Sequence, residues 1–126
     1  MIEPADKKVV ASSESNEGLF ALKERMDPLL NSEIRFYIMT ALAFYKTLDF
    51  SFLKENLEAT DGNLSINLSK LEAAGFLTSH KEFVRKKPRT SYTITPLGLE
   101  KLSSYLDAVA EVRHRIQVDA KRGEKL

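Results

Sequence analysis

TDGNLSINLSKLEAAGF, residues 60–76, is the stretch on which the fold turns. Leu64, Leu68 and Leu71 recur at i, i+4 and i+7, one apolar stripe of a helix. With successive residues turned by roughly 100°, Gly62, Ile66, Ser69 and Lys70 gather around the opposite pole and Asn63 joins them on the polar side. Thr60 or Asp61 can cap the start, and Gly75 stands just past Ala74, where a left-handed glycine ends a helix without a Cβ penalty. The spacing predicts a helix over residues 60–74. Its outer face carries short hydrogen-bonding groups where a solvated helix usually carries long charged ones. Such a face suits close approach to another surface, and the edge of a base pair is one.

Upstream, Ser32 caps a helix over residues 33–45, EIRFYIMTALAFY, apolar on nearly all sides and so expected to be surrounded by other elements. Residues 50–57, FSFLKENL, place Phe50, Leu53 and Leu57 on one side of a second helix. A tight turn through Glu58 and Ala59 leads into the 60–74 helix, which is helix-turn-helix order. Further back, Leu19, Leu22 and Met26 mark a short helix stopped by Pro28, packing either on its own domain or on a second copy. Residues 1–17, polar and serine-rich, read as a disordered leader.

Downstream, residues 76–83 and 90–95 are rich in aromatic and β-branched types and predict a hairpin. The intervening VRKKPR, residues 84–89, is expected to be its connecting loop. Between Lys81 and Arg89 stand five cations and one anion, although the whole chain is only +1. Charge packed at a loop tip repels itself unless an anion screens it, and a phosphate backbone is the anion that suits such a strip. Thr95-Pro96 then restarts helix, with threonine as cap and proline at the first position. Leu102, Val109 and Ile116 lie seven apart, with Tyr105, Leu106 and Val112 widening the stripe to a heptad seam. A helix of about 25 residues, near 38 Å at 1.5 Å per residue, outruns a small domain, and its distal apolar residues need a partner.

Composition sets the outer limits. At 126 residues, 43% hydrophobic and 29% charged, the chain has one domain's worth of core. No run approaches the roughly 18 apolar residues of a membrane span, and the N-terminus has no apolar signal region. There are no cysteines, which excludes disulfides, thiolate metal sites and a cysteine nucleophile. His80 and His114 are far apart in polar surroundings, and no glycine-rich phosphate loop or nucleophile elbow is present. The expectation is a soluble cytoplasmic protein that is not an enzyme and holds no cofactor or metal.

The segments MDPLLNSEIRFYIMTALA, DFSFLKENLEATDGNLSINLSKLEAAGF and KPRTSYTITPLGLEKLSSYLDAV resemble the small stand-alone winged-helix transcriptional regulators related to the MarR and ArsR groups. The resemblance implies an α+β fold, mainly α with a small β-hairpin: a winged helix-turn-helix with a long C-terminal dimerisation helix. The implied domains are a DNA-binding domain over residues 18–95 and a dimerisation helix with a basic tail over residues 96–126. In this family the third helix enters the major groove and the wing tracks the neighbouring backbone or minor groove. Carried over, Thr60, Asn63, Ser65, Ile66, Asn67 and Lys70 line the groove-facing side, and Arg85, Lys86, Lys87 and Arg89 are wing contacts. Asn63 and Asn67 are each suited to bond an adenine edge, and Lys70 a phosphate or guanine. Leu102, Tyr105, Leu106, Val109, Val112 and Ile116 form the dimer interface. Relatives often place a glycine or other turn-former near Arg85, which this wing lacks, and a histidine where Asn67 stands. The implied partners are double-stranded DNA with a pseudo-palindromic operator and a second copy of the chain, with room for a small-molecule effector. A second reading of the same residues is a winged-helix protein-interaction module whose polar helix docks a protein.

Overall fold

The computed structural model describes residues 18–125, so the expected leader lies outside the described residues. Two short 3-10 segments, Leu19–Arg25 and Pro28–Leu30, precede the regular elements. These are α1 (Glu33–Tyr45), β1 (Thr47–Asp49), α2 (Phe50–Leu57), α3 (Asp61–Ala73), β2 (Leu77–Val84), β3 (Lys87–Ile94) and α4 (Pro96–Lys125). Asp27–Ser103 forms one compact unit, and the segment up to Met26 falls with Ser104 onward in a second. The division thus lies inside α4, between Ser103 and Ser104, rather than at its start. The fold is mainly helical with a small antiparallel sheet, as the sequence implies.

In the first unit, Leu64, Leu68 and Leu71 of α3 are buried with Ile38, Met39 and Leu42 of α1, Leu53 of α2, and Phe76, Leu77, Tyr92 and Leu102. The leucine stripe is therefore the core face of α3. α1 is less enclosed than its composition suggests: Phe44 is 78% exposed, and Tyr37 and Tyr45 are also open. Three helices and a thin sheet cover only one stripe of it, and the leftover rings stack edge-on instead. Phe44 meets Tyr45 with ring centroids at 4.7 Å, and Tyr45 meets Phe52 at 6.0 Å.

The sheet has the order β1-β3-β2. β1, absent from the sequence reading, pairs with β3 through Thr47↔Thr93, Leu48↔Tyr92 and Asp49↔Ser91. The hairpin also differs from expectation. β2 and β3 stay paired as far as Val84↔Lys87, so the connection is a two-residue turn, Arg85-Lys86, and residues 87–89 belong to β3. Arg85 and Lys86 both have positive φ, 55° and 67°. That is the signature of a type I′ turn, which matches strand twist but normally uses Asn-Gly. Pro88 opposes Phe83, next to the closing pair of the turn. Because antiparallel pairs alternate, its missing N–H faces away from β2, where β1 has already ended, and no ladder bond is lost.

Where the hairpin returns to α4, the backbone is locked. The Thr95 N–H donates to the Phe76 carbonyl at 3.0 Å, and the Thr95 hydroxyl donates to the Gly75 carbonyl at 2.6 Å. The same hydroxyl oxygen caps α4 by accepting from the Gly98 N–H at 3.0 Å. Gly98 is buried, and a Cβ there would run into the Phe76 carbonyl oxygen and come within 2.9 Å of Met39 Cε. This glycine serves close approach, not a turn.

In the second unit, Leu22 and Ala108 are buried. The Leu19–Arg25 segment is 3-10 rather than α, a long run for that geometry at 7 residues, and Gly18 provides no side-chain cap. Leu106, Val109, Ile116 and Val118 of α4 stay exposed, as do Leu19 and Phe20. Leu102 does not join them. It is 3% exposed and belongs to the winged core, which corrects its assignment to the dimer face. The heptad runs through Leu102 in sequence, but that turn of α4 is already used within its own unit.

Candidate nucleic-acid interface

α3 is held at both ends by local chemistry. The Thr60 hydroxyl oxygen accepts from the Asn63 N–H at 3.1 Å, and Asp61 sits in the first turn, where the helix dipole favours a carboxylate. At the other end Gly75 has φ 83°, the Phe76 N–H donates to the Leu71 carbonyl at 3.0 Å, and the Gly75 N–H donates to Glu72 at 2.9 Å. This is the Schellman pattern, and it satisfies carbonyls the helix leaves open. The turn before α3 places Glu58 in the left-handed region, with φ 52°.

Asn63, Ser65, Ile66, Ser69 and Lys70 all face solvent, and Ile66 is 58% exposed. Thr60 is exposed at the cap. Asn67 is not with them: it is 6% exposed, which corrects its placement on the groove-facing side. It lies roughly 60° from Leu64 on the helical projection, on the border of the leucine stripe, and an inward partner decides its direction. Arg35 of α1 donates from Nη1 to Asn67 Oδ1 at 2.6 Å and from Nε to the Leu29 carbonyl at 2.7 Å. Asn67 Nδ2 in turn donates to the Asn63 carbonyl at 2.7 Å and to Asn63 Oδ1 at 3.1 Å. Every polar atom of the buried amide is satisfied. Sequence reasoning does not reach Arg35; the available signal is that it is the only cation in a mostly apolar helix.

The exposed face of α3 brings little positive charge. Asp61 pairs with Lys54 of α2 at 2.8 Å, and Glu72 accepts from the Ser79 hydroxyl at 2.8 Å, tying the end of α3 to β2. The Glu72 carboxylate also helps hold the Tyr92 hydroxyl above its ordinary pKa, after burial, the larger cause. The cations are on the hairpin. From Thr78 to Phe83 and from Lys87 to Arg89 both faces of the ribbon are exposed, so its outer half projects from the core. Arg85 and Lys86 form the tip, and Lys87 follows them into β3; none has an ion-pair partner among the described residues. Arg89 differs. Its Nε lies 3.4 Å from Asp49 Oδ2, while Asp49 Oδ1 accepts from the Phe52 N–H at 2.8 Å to cap α2. One carboxylate therefore braces the wing base against the helix-turn-helix.

The exposed polar face of α3 and the cationic hairpin tip belong to the same compact unit, Asp27–Ser103. The family described as winged helix DNA-binding domain matches residues 34–112. The chain belongs to that family. An uncharacterized protein of Methanocaldococcus jannaschii is 32% identical over 89 residues, which span 71% of this chain and 97% of the relative. A transcriptional regulator homologue from Pyrococcus horikoshii is similar in structure, with a TM-score of 0.69 at 30% identity over 75% of this chain and 95% of that one. DNA-bound AbfR, at 15% identity and a TM-score of 0.58, covers 91% of this chain and 87% of its own, and shares the fold. The winged-helix chain is thus a transcriptional regulator of the DNA-binding kind.

Proposed function

We propose that this regulator is a homodimeric repressor that binds a specific double-stranded operator and acts by occluding it. The exposed side of α3 enters the major groove, with Thr60, Asn63, Ser65, Ile66 and Lys70 toward the bases and phosphates. Arg85, Lys86 and Lys87 lie on the flanking backbone, and Arg89, already held by Asp49, contributes at longer range. The observation that carries this reading is the pairing, in one compact unit, of a short-chained hydrogen-bonding helix face with a projecting tip of cations that have no ion-pair partner among the described residues. The two supply what sequence reading and phosphate binding separately need.

The dimer is supported by the apolar residues that α4 leaves uncovered. Leu106 is 45% exposed, Val109 42% and Ile116 62%, with Tyr105 and Val112 partly covered on the same stripe. A second copy of α4 is the partner a heptad seam favours. Two winged units would then meet half-sites about one helical turn apart on a pseudo-palindrome. Val112→Asp with Ile116→Asp is expected to halve the mass in sedimentation; an unchanged mass would refute this interface.

Phe83 is 77% exposed near the tip and Ile66 is exposed on α3, features that also suit docking to a protein. Salt dependence separates the two readings. DNA binding through the tip predicts affinity for duplex falling linearly with salt on logarithmic axes. A folded dimer with no duplex binding at low salt would leave the protein-docking reading.

A further inference from the structure

We infer that Arg35 and Asn67 form a fixed relay that turns the amide N–H groups of Asn63 outward, so that α3 prefers guanine or thymine over adenine at that position. The inference rests on the placement of α3 in the major groove.

Each link constrains the next. A guanidinium has donors only, so the atom of Asn67 that faces Arg35 has to be its oxygen. Turning the Asn67 amide over would set donor against donor in a site that is 6% exposed. Arg35 cannot swing away to relieve this without giving up its second bond, to the Leu29 carbonyl. Asn67 Nδ2 consequently points at Asn63, where it meets both the backbone carbonyl and Oδ1. Asn63 must therefore present oxygen inward, and in a planar amide this sends Nδ2 to the other side.

An unrestrained surface asparagine can offer either end of its amide, and adenine, with N7 as acceptor and N6 as donor, takes both. Asn63 has its oxygen turned inward onto Asn67 and offers donors outward; adenine N7 can accept from one, but the N6 amino group beside it is a donor facing donors, where guanine has O6. Guanine, with O6 and N7, and thymine, with O4, present the matching major-groove acceptors, whereas cytosine presents a donor. Arg35 and Asn67 touch no base in this arrangement. They are positioning residues, and they set the chemistry of a third residue.

Selection of bound duplexes from a random pool tests this with the full chain, Asn63→Ala, Asn67→Asp and Asn67→Ala. For the unaltered chain a guanine or thymine is expected at one position, lost in Asn63→Ala. Asn67→Asp keeps an acceptor for Arg35 but has no donor for Asn63, whose amide then turns its N–H inward and its oxygen outward. The preference there should reverse to adenine or cytosine, on the order of fivefold or more in affinity. Asn67→Ala releases the Asn63 amide altogether, so adenine becomes tolerated as well. Because the alanine variant removes a polar group without burying a charge, it decides the matter should the aspartate variant fail to fold. A purely structural role for Asn67 would lower stability and leave the base preference intact. The relay is overturned if folded Asn67 variants keep the original preference, if the unaltered chain prefers adenine or cytosine at the Asn63-dependent position, or if no position depends on Asn63. Selection of no duplex at all overturns the groove reading itself.

Discussion

α3 and the tip of the hairpin are built on opposite terms. α3 is capped at both ends, tied to α1 through Arg35 and Asn67 and to β2 through Glu72 and Ser79, and its outward side chains carry little net charge. The tip is exposed on both faces, carries three cations without ion-pair partners among the described residues, and holds two of them at positive φ. Order is concentrated where hydrogen bonds have to be aimed, and charge where only attraction is needed. A base edge rewards geometry on the scale of a single bond, whereas a phosphate strip rewards net charge over several ångströms.

The largest effect is expected at the lock that fixes the root of the hairpin. Gly98→Ala places a Cβ against the Phe76 carbonyl and Met39, so the start of α4 has to move away from the backbone it caps. We expect a loss of about 3 kcal/mol in urea unfolding, at the upper end of overpacking effects. If stability is unchanged, the root is as pliant as the tip and the contrast between them fails. Next is charge: replacing Arg85, Lys86 and Lys87 together by alanine should weaken binding to every duplex, specific or random, by ~100-fold at moderate salt. The slope of log affinity against log salt should fall by roughly 0.9 for each cation that sits on a phosphate. Asn63→Ala should do the reverse, removing on the order of 1–2 kcal/mol at one base position and leaving random-duplex affinity and the salt slope intact. A uniform loss on all sequences would mean that α3 does not read bases.

How much of this was legible in the sequence follows from the range of the forces involved. The caps of α3, Thr60 and Gly75, act within one turn of helix and can be read directly. The leucine stripe is equally local, and it placed the core face of α3 correctly. Sequence alone misplaces Asn67 because it borders that stripe, and its inward partner, Arg35, is 32 residues away in sequence. β1 is three residues long and exists only by pairing with β3. Leu102 fits the heptad as well as Val109 does, and only the packing of the first turns of α4 in the winged unit separates them. The sequence points to a longer loop at the turn because residues 84–89 contain neither glycine nor asparagine, the usual markers of a two-residue connection.

That turn gives the smallest effect and the most direct test of what separates the two regions. Left-handed backbone costs an ordinary L-residue on the order of 1 kcal/mol, and asparagine and glycine avoid most of that cost. Arg85→Asn with Lys86→Gly should therefore stabilise the domain by about 1 kcal/mol, a rise of a few degrees in thermal midpoint, with the hairpin register kept. The same change removes two cations and should lower both duplex affinity and the salt slope. A chain that gains stability as it loses binding would show that arginine and lysine hold the turn for their charge, at the expense of backbone strain. If the double variant is no more stable than the unaltered chain, the tip is not strained by its cations. Their place at positive φ would then follow from the twist of the strands alone, and the charge at the tip would carry no structural cost.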